Sequence, residues 1–260
     1  MLGLVQGLTE FLPISSTAHL RIVPALLGWK DSGAAVTAVL QLGTLVAVLG
    51  YFLPDLWRMV RAWFAPQPWN NPEAQRLVHL IIGTLPVGIC GLLFKDAIEG
   101  PLRSLWVISA SLVIVAVLMA VMEKRTSPNR GLEDTGLRDA IFVGLAQALA
   151  LVPGVSRSGI TIMAAMAIGI RRDAAARYSF LLGVPAIAAA GVFELPEVLR
   201  AKDVSGGILL LGLVVSAVSG YASIAWLLKF LRTRSVMPFV VYRIALGALL
   251  VTGLVMGWLK

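Results

Sequence analysis

Cysteine and charged residues are both scarce in this sequence. The single Cys90 lies in an apolar stretch, which excludes a disulfide framework and a cysteine-based metal site. Charged residues make up only 14% of the 260 positions, hydrophobic residues make up 58%, and the mean hydropathy is +0.86. This balance lies outside the range of soluble globular domains and predicts a polytopic protein embedded in the lipid bilayer.

The basic residues form no cluster of the kind that binds nucleic acid. The net charge is +8, but lysines and arginines are scattered at the ends of apolar segments, without interleaved aromatic residues. Positive loops beside anionic lipid account for the excess, and no nucleic acid is expected as a partner. The first residues also lack a basic cluster, and Glu10 and Pro13 interrupt their apolar stretch, so a cleavable signal peptide is not expected there.

One arginine stands among hydroxyls and glycines in the apolar second half of the chain. An ionised guanidinium at membrane depth costs about 2.5 to 3.5 kcal/mol or more, so Arg157 needs an anionic partner. No carboxylate lies nearby in the sequence, whereas hydroxyls, loop amides and a glycine that admits close backbone approach suit a phosphate. An arginine at an ordinary cytoplasmic turn is the alternative. The residues that surround Arg157 are Gly154, Ser156, Ser158 and Thr161.

A carboxylate, an imidazole and three hydroxyls lie close together near the start of the chain. Gln6 and Glu10 are four residues apart, so on a helix they project from one face. A capped helix end near the membrane interface would explain Glu10 and His19, but a carboxylate and an imidazole at membrane depth usually serve a function. The loop that follows Glu10 supplies Ser15, Ser16, Thr17 and His19.

The apolar segments of the chain fall into two groups, one too short to cross a bilayer and one long enough to do so. Four helical segments, 3–11, 17–27, 137–151 and 159–170, are shorter than the ~20 residues that cross a bilayer. A polar loop joins each pair, which predicts two re-entrant helical hairpins whose loops are covered by protein or lie in a wet cavity. The expected fold class is an all-α polytopic membrane protein. Its transmembrane helices, about six, are predicted at 33–53, 77–94, 105–122, 174–193, 207–230 and 239–259.

The two hairpins begin alike, which indicates an internal repeat. Gly3-Leu4-Val5-Gln6 and Gly144-Leu145-Ala146-Gln147 are each followed by an apolar stretch, a proline and a serine-rich loop. The positive-inside rule places the polar linker in the cytoplasm and both termini outside, so the repeat is inverted and the hairpin tips meet near the midplane. A polar turn at Lys202 and Asp203 separates two spans of the second half. We therefore expect one integral membrane domain, 1–260, with repeat halves 1–122 and 140–260 and a linker at 123–139.

Together the two tips hold the residue types that phosphoryl transfer needs. Arg157 can bind phosphate oxygens and neutralise charge that develops in the transition state. A serine or an activated water can attack phosphorus, while His19 and Glu10 can transfer protons. Gln6 and Glu10 can alternatively hold a Mg²⁺ or Ca²⁺ ion between two phosphates, since these cations prefer oxygen ligands. A simple anion transporter has no evident use for both a carboxylate and an imidazole.

The stretches Gln6–His19 and Pro153–Thr161 closely resemble the two signature motifs of bacterial undecaprenyl-diphosphate phosphatases, a family also linked to bacitracin resistance. The resemblance covers nearly the whole chain. It implies an inverted repeat with two re-entrant hairpins, and hydrolysis of undecaprenyl diphosphate to undecaprenyl phosphate and inorganic phosphate for cell-wall synthesis. The site is then expected in the bacterial inner membrane, open to the periplasmic face. Family members usually begin with several more apolar residues before the first motif.

The resemblance also implies roles for individual residues. The family's glutamine-or-glutamate and glutamate positions fall on Gln6 and Glu10, its serine on Ser16, its histidine on His19 and its arginine on Arg157. We expect Ser16 as the nucleophile and His19 as the proton donor or acceptor, with direct attack by water as the alternative. The residues expected to bind the diphosphate are Ser15, Thr17, Gly154, Ser156, Arg157, Ser158 and Thr161.

A polyprenyl-phosphate flippase or an anion transporter is the rival function. Inverted repeats with paired hairpins are typical of transporters, so the architecture alone does not separate the two. Release of phosphate by detergent-purified protein, without a membrane gradient, would separate them. Runs of small residues at 206–207 and 212–220 suit either internal packing or a homodimer face.

Overall fold

Helices joined by turns make up the described chain. The computed structural model describes residues 1–29, 33–126, 129–200 and 206–259, so the predicted polar turn at Lys202 and Asp203 lies outside the described residues. Short 3-10 helices follow α4 (Pro68–Asn70), α6 (Pro101–Arg103) and α8 (Leu149–Leu151). The α-helices are α1 (Leu2–Glu10), α2 (Ser16–Leu27), α3 (Gly33–Tyr51), α4 (Leu53–Trp63), α5 (Pro72–Leu93), α6 (Lys95–Glu99), α7 (Leu105–Arg125), α8 (Leu137–Ala148), α9 (Arg157–Ala167), α10 (Arg172–Arg200), α11 (Gly206–Leu231) and α12 (Met237–Val255).

The long helices are apolar enough to cross a bilayer. In the part of the chain that the structure describes, five helices qualify: α5, α7, α11, α12 and the Arg172–Phe193 part of α10. A bent pair, Val39–Tyr51 of α3 with Leu53–Trp63 of α4, turns by 74° and makes a sixth candidate when the two helices are counted as one span. Pro54 lies in the first turn of α4, where its missing N–H and its ring prevent α3 from continuing straight. The prediction of an all-α polytopic membrane protein is confirmed.

Both predicted hairpins are present as pairs of short helices, α1 with α2 and α8 with α9. A serine caps the second helix of each pair. Ser15 Oγ accepts the Ala18 N–H at 3.3 Å, and Ser156 Oγ accepts the Gly159 N–H at 3.1 Å. The two serines have φ of 73° and 74°, which is uncommon for a residue other than glycine. The chain therefore builds the same strained loop twice.

Corresponding helices of the two predicted halves make matching contacts. Helix α1 packs on α11 and α8 packs on α5, while α3 packs against α10 and α7 against α12. Gly3 of α1 lies on Gly212 of α11, and Gly144 of α8 lies on Gly83 of α5. A Cβ at Gly3 or Gly144 would overlap a backbone carbonyl oxygen, so only glycine permits this approach. The run at 212–220 thus serves internal packing, and a homodimer face stays a prediction.

The segment between the halves is tied to the second hairpin. Arg130 donates to both carboxylate oxygens of Asp139, at 3.1 and 2.7 Å, and to the Ile168 carbonyl at 3.0 Å. Its backbone N–H donates to the Gly169 carbonyl, and its carbonyl accepts the Arg171 N–H. These bonds hold the turn between α9 and α10. The boundaries at 122 and 140 and the cytoplasmic position of the linker stay predictions.

Candidate active site

Glu10 is the point at which the two hairpins meet. It is the last residue of α1, and only 5% of it is exposed. Its Oε2 accepts the Gln6 Nε2–H at 2.9 Å and the Ser16 hydroxyl at 2.6 Å. Its Oε1 accepts from Arg157 Nη2 at 3.0 Å. Gln6 and Glu10 therefore project from one face of α1, as predicted, and the Glu10 carboxylate contacts both hairpin tips.

Arg157 is the first residue of α9 and reaches across to the first hairpin. The anionic partner that the local sequence lacks is Glu10, and this ion pair shows that the two polar tips lie together. Its Nη1 is buried and has no hydrogen-bond partner within the described residues. The guanidinium rests on Gly183 of α10, where a Cβ would overlap Nη1. Sequence reasoning missed Gly183, because glycines are common in transmembrane helices and no neighbouring residue marks this one as an arginine contact.

His19 is held by Ser15 and by a tyrosine that sequence reasoning missed. A carbonyl oxygen can only accept, so the 2.7 Å contact between Nδ1 and the Ser15 carbonyl places a hydrogen on Nδ1. Nε2 lies 2.6 Å from the Tyr242 hydroxyl, and the two rings stack with 5.6 Å between centroids. With both nitrogens engaged, His19 is not hydrogen-bonded to Ser16, which donates to Glu10 instead.

The other hydroxyls of the second tip are used in protein contacts. Ser156 caps α9, and its Oγ lies 3.2 Å from Ser158 Oγ. Ser158 donates to the Leu12 carbonyl of the first hairpin at 2.9 Å. Thr161 donates to the Arg157 carbonyl at 2.7 Å and lies 2.6 Å from Ser179 Oγ. In this structure these hydroxyls position the loop on which Arg157 lies, and their predicted contact with phosphate stays a prediction.

Two first-tip hydroxyls and one glycine play a similar part. Ser15 caps α2, and its Oγ lies 3.1 Å from Thr17 Oγ1. Gly154 has a φ of +96°, which disfavours other residues, and a Cβ there would come within 2.6 Å of the Ile108 carbonyl oxygen. Gly154 is therefore needed for the close approach of its loop to α7.

A second arginine, Arg243 of α12, links both tips and was not predicted to belong to the site. Its side chain is fully buried. Nη1 donates to the Pro13 carbonyl of the first loop at 3.2 Å, and Nη2 donates to the Gly154 and Val155 carbonyls of the second at 2.8 and 3.1 Å. Pairing with backbone carbonyls is one way in which a charge is tolerated at membrane depth. Further bonds reach the α7 carbonyls of Ser111 and Leu112.

Gln6 and Glu10 are the residues of the first tip from which the sequence predicts ligands for a hard cation. Gln6 Oε1 is buried and has no hydrogen-bond partner in the described chain, while the Gln6 amide nitrogen holds Glu10. Among the described residues no group of three or more His, Cys, Asp and Glu side chains could hold a metal ion. The donors therefore fit Mg²⁺ or Ca²⁺ only where phosphate oxygens complete the shell.

Comparison with known proteins gives full-length matches. A sequence model described as Bacitracin resistance protein BacA matches residues 1–249. An undecaprenyl-diphosphatase of Myxococcus xanthus is 53% identical over 265 residues, covering 100% of this chain and 89% of that protein. An undecaprenyl-diphosphatase of Nocardioides sp. is 49% identical, covering 95% of this chain and 92% of the relative. An undecaprenyl-diphosphatase of Synechococcus elongatus is 46% identical, covering 100% of this chain and 93% of the relative.

Proposed function

The chain belongs to the bacitracin resistance protein BacA family, and we propose that it is an undecaprenyl-diphosphatase. It hydrolyses undecaprenyl diphosphate to undecaprenyl phosphate and inorganic phosphate, which recycles the lipid carrier of peptidoglycan synthesis and gives resistance to bacitracin. The observation that carries this proposal is the shared Glu10 carboxylate, which Ser16 contacts from its own hairpin and Arg157 from the other.

Arg157 binds the terminal phosphate in place of Glu10. A guanidinium can donate to two phosphate oxygens at once, and Nη1 has no partner in the substrate-free site. When the phosphate takes over the guanidinium, the Glu10 carboxylate loses its stabilising cation and becomes a better proton acceptor. Substrate binding and activation of the base are thus coupled through one ion pair.

Ser16 is the nucleophile because its hydroxyl already donates to Glu10 at 2.6 Å. Oγ forms a bond to the terminal phosphorus, its proton passes to Glu10, and the bond from that phosphorus to the bridging oxygen breaks. Protonated His19 gives a proton to the departing undecaprenyl phosphate. Water then attacks the phosphorus of the phosphoserine and gives a proton to His19, the bond from phosphorus to Ser16 Oγ breaks, and Glu10 returns its proton to Oγ as inorganic phosphate leaves. Direct attack by water on a phosphate held by Ser16 is the alternative.

As the alternative to a role of Glu10 as base, Gln6 Oε1 and Glu10 would hold a divalent cation, Mg²⁺ or Ca²⁺, together with phosphate oxygens of the substrate. Such an ion, when bound, neutralises charge on the phosphate oxygens. The free Gln6 Oε1 supports this assignment, because a buried amide oxygen without a partner is costly unless a ligand uses it. The excess of basic residues in the predicted cytoplasmic loops supports a site that opens to the periplasmic face of the inner membrane.

A polyprenyl-phosphate flippase is the second candidate, because the duplicated hairpins give the molecule the architecture of a transporter. The deciding experiment uses detergent-purified protein with undecaprenyl diphosphate and no membrane gradient. Phosphate release is expected, lost with EDTA and restored by Mg²⁺ or Ca²⁺. Protein that binds the lipid but releases no phosphate under any condition would contradict the phosphatase. Phosphate release that EDTA does not change would contradict the proposed cation site but would still support the phosphatase.

A further inference from the structure

A small apolar cavity lies between α2 and α12, away from the catalytic residues. Its volume is about 200 Å³. Three of its side chains are largely exposed on the apolar surface: Leu26 by 57%, Leu249 by 49% and Trp258 by 67%. The residues that line it are Ala25, Leu26, Leu249, Gly253, Trp258 and Leu259.

Residues that line the cavity lie on the same faces of α2 and α12 as His19 and Tyr242. On α12, Leu249 and Gly253 are seven and eleven residues beyond Tyr242, so the three share a face. On α2, Leu26 is seven residues beyond His19 and shares its face. His19 and Tyr242 touch each other at 2.6 Å. The two helices therefore meet at the catalytic histidine and carry apolar faces from there to the cavity.

The floor of the cavity is packed rather than open to the protein interior. Ala18 and Ile22 of α2 form one buried cluster with Leu250 and with Leu259 from the end of the chain. A hydrocarbon chain bound in the cavity would thus contact apolar side chains of the protein on one side and lipid on the other. Seven residues of helix rise by about 10 Å, so Leu26 and Leu249 lie about that far along their helices from His19 and Tyr242.

We propose that the cavity between α2 and α12 binds the isoprenoid tail of the substrate, beyond its first unit. This inference rests on the proposed function, because it assigns the tail of a substrate whose diphosphate lies at Glu10, Ser16 and Arg157. The occupant follows from continuity with the site: α2 carries both Ser16 and His19, so a tail that leaves the phosphates along this helix reaches the cavity. The tail buries apolar surface there and contributes to affinity without taking part in the chemistry.

The test fills the cavity and compares two substrates. Undecaprenyl diphosphate reaches the cavity, whereas a diphosphate with a single isoprenoid unit is too short to extend about 10 Å. We expect Leu249→Trp to raise KM for undecaprenyl diphosphate about tenfold and to leave kcat/KM for the one-unit substrate within about twofold. The matched control is Val251→Trp, which changes an exposed residue of α12 outside the cavity and should change neither substrate.

The remaining outcomes would each contradict one part of the proposal. Equal KM values for Leu249→Trp and wild type would show that the tail does not use the cavity, and an equal loss on both substrates would show a distorted site. A similar loss in Val251→Trp would show that ordinary bilayer contacts matter instead. A wild-type protein that hydrolyses neither substrate would overturn the proposed function, and the tail site with it. An active wild type with an unaffected Leu249→Trp would overturn the tail site alone.

Discussion

At the scale of single residues, the chemistry depends on how one carboxylate is shared. Glu10 accepts from Gln6, Ser16 and Arg157, so its charge is fully compensated in the substrate-free protein. Removing one partner of a buried ion pair costs about 3 to 5 kcal/mol, because the other charge stays buried. A phosphate that takes over Arg157 avoids that cost for the guanidinium, while the Glu10 carboxylate avoids it by accepting a proton. The site is thus prepared for an anionic ligand.

Arg157→Lys should reduce phosphate release at least about 100-fold while the protein still folds. An ammonium group supplies the charge but cannot bind two phosphate oxygens in the fork geometry of a guanidinium. The measurement is phosphate release from undecaprenyl diphosphate, with thermal unfolding as the check on folding. Arg171→Lys is the control, since 53% of that side chain is exposed and it should keep wild-type activity. Activity of Arg157→Lys within threefold of wild type would contradict the role.

Ser16→Ala should lower the rate at least about 1000-fold if Ser16 is the nucleophile, because no other hydroxyl contacts Glu10 in the described chain. Rapid acid quench of the wild type during turnover should also trap a phosphoserine at position 16. The comparison is Ser158→Ala, which removes a hydroxyl bonded to a backbone carbonyl and should not abolish trapping. Full activity in Ser16→Ala would end the covalent route and favour direct attack by water.

At the scale of elements, the first turn of α9 in the second hairpin lies against the end of α1 and the loop of the first hairpin. Ser15 and Ser156 cap α2 and α9 with the same positive φ, so each loop exposes its tip in one fixed way. Such backbone strain persists only where neighbouring groups hold it. Here α10 supplies part of that support, because Gly183 provides the surface on which the Arg157 guanidinium lies.

Gly183→Ala should displace the Arg157 guanidinium and reduce kcat/KM about 100-fold, since small displacements of a positioning group can cost that much. The added methyl overlaps Nη1, and the side chain must move away from Glu10. The control is Gly88→Ala on α5, where the new methyl meets nothing within 4 Å. That variant should be as active as wild type. If Gly183→Ala has wild-type kinetics, Arg157 does not need its observed position.

At the scale of the whole molecule, Arg243 joins parts of the chain that are far apart in sequence. Its five hydrogen bonds go to carbonyls of the first loop, the second loop and α7. The glycine contacts of α1 with α11 and of α8 with α5 then hold each hairpin against the opposite half. The two tips therefore keep their relative position without help from substrate.

Arg243→Met should lower the thermal unfolding temperature in detergent by roughly 10 °C, because buried carbonyls lose their donor at about 1 to 3 kcal/mol each. Activity should fall with it, since the tips are no longer held together. Arg58→Met is the control, because 64% of the Arg58 side chain is exposed and its loss should not change the unfolding temperature. Unchanged stability in Arg243→Met would show that helix packing alone positions the tips.

The amino-acid sequence by itself determined the membrane class, the two hairpins and the residue types of the site. Hydropathy reports whether a segment can cross a bilayer, and Pro13 with the serines after it marks a loop where a span should continue. The repeated Gly and Gln at the start of each hairpin predicted an internal repeat. These properties are local, so the pattern along the chain is enough to reveal them.

Only the tertiary structure decided which partner each polar group has. Arg157 meets Glu10, His19 meets Tyr242, and Arg243 meets both loops, although each pair is far apart in sequence. The sequence predicted that Ser16 and His19 act together, whereas in the fold Ser16 is hydrogen-bonded to Glu10 and His19 to Tyr242. The physical reason is that hydropathy and spacing describe one segment at a time, while a buried polar group is satisfied by whichever helix packs beside it.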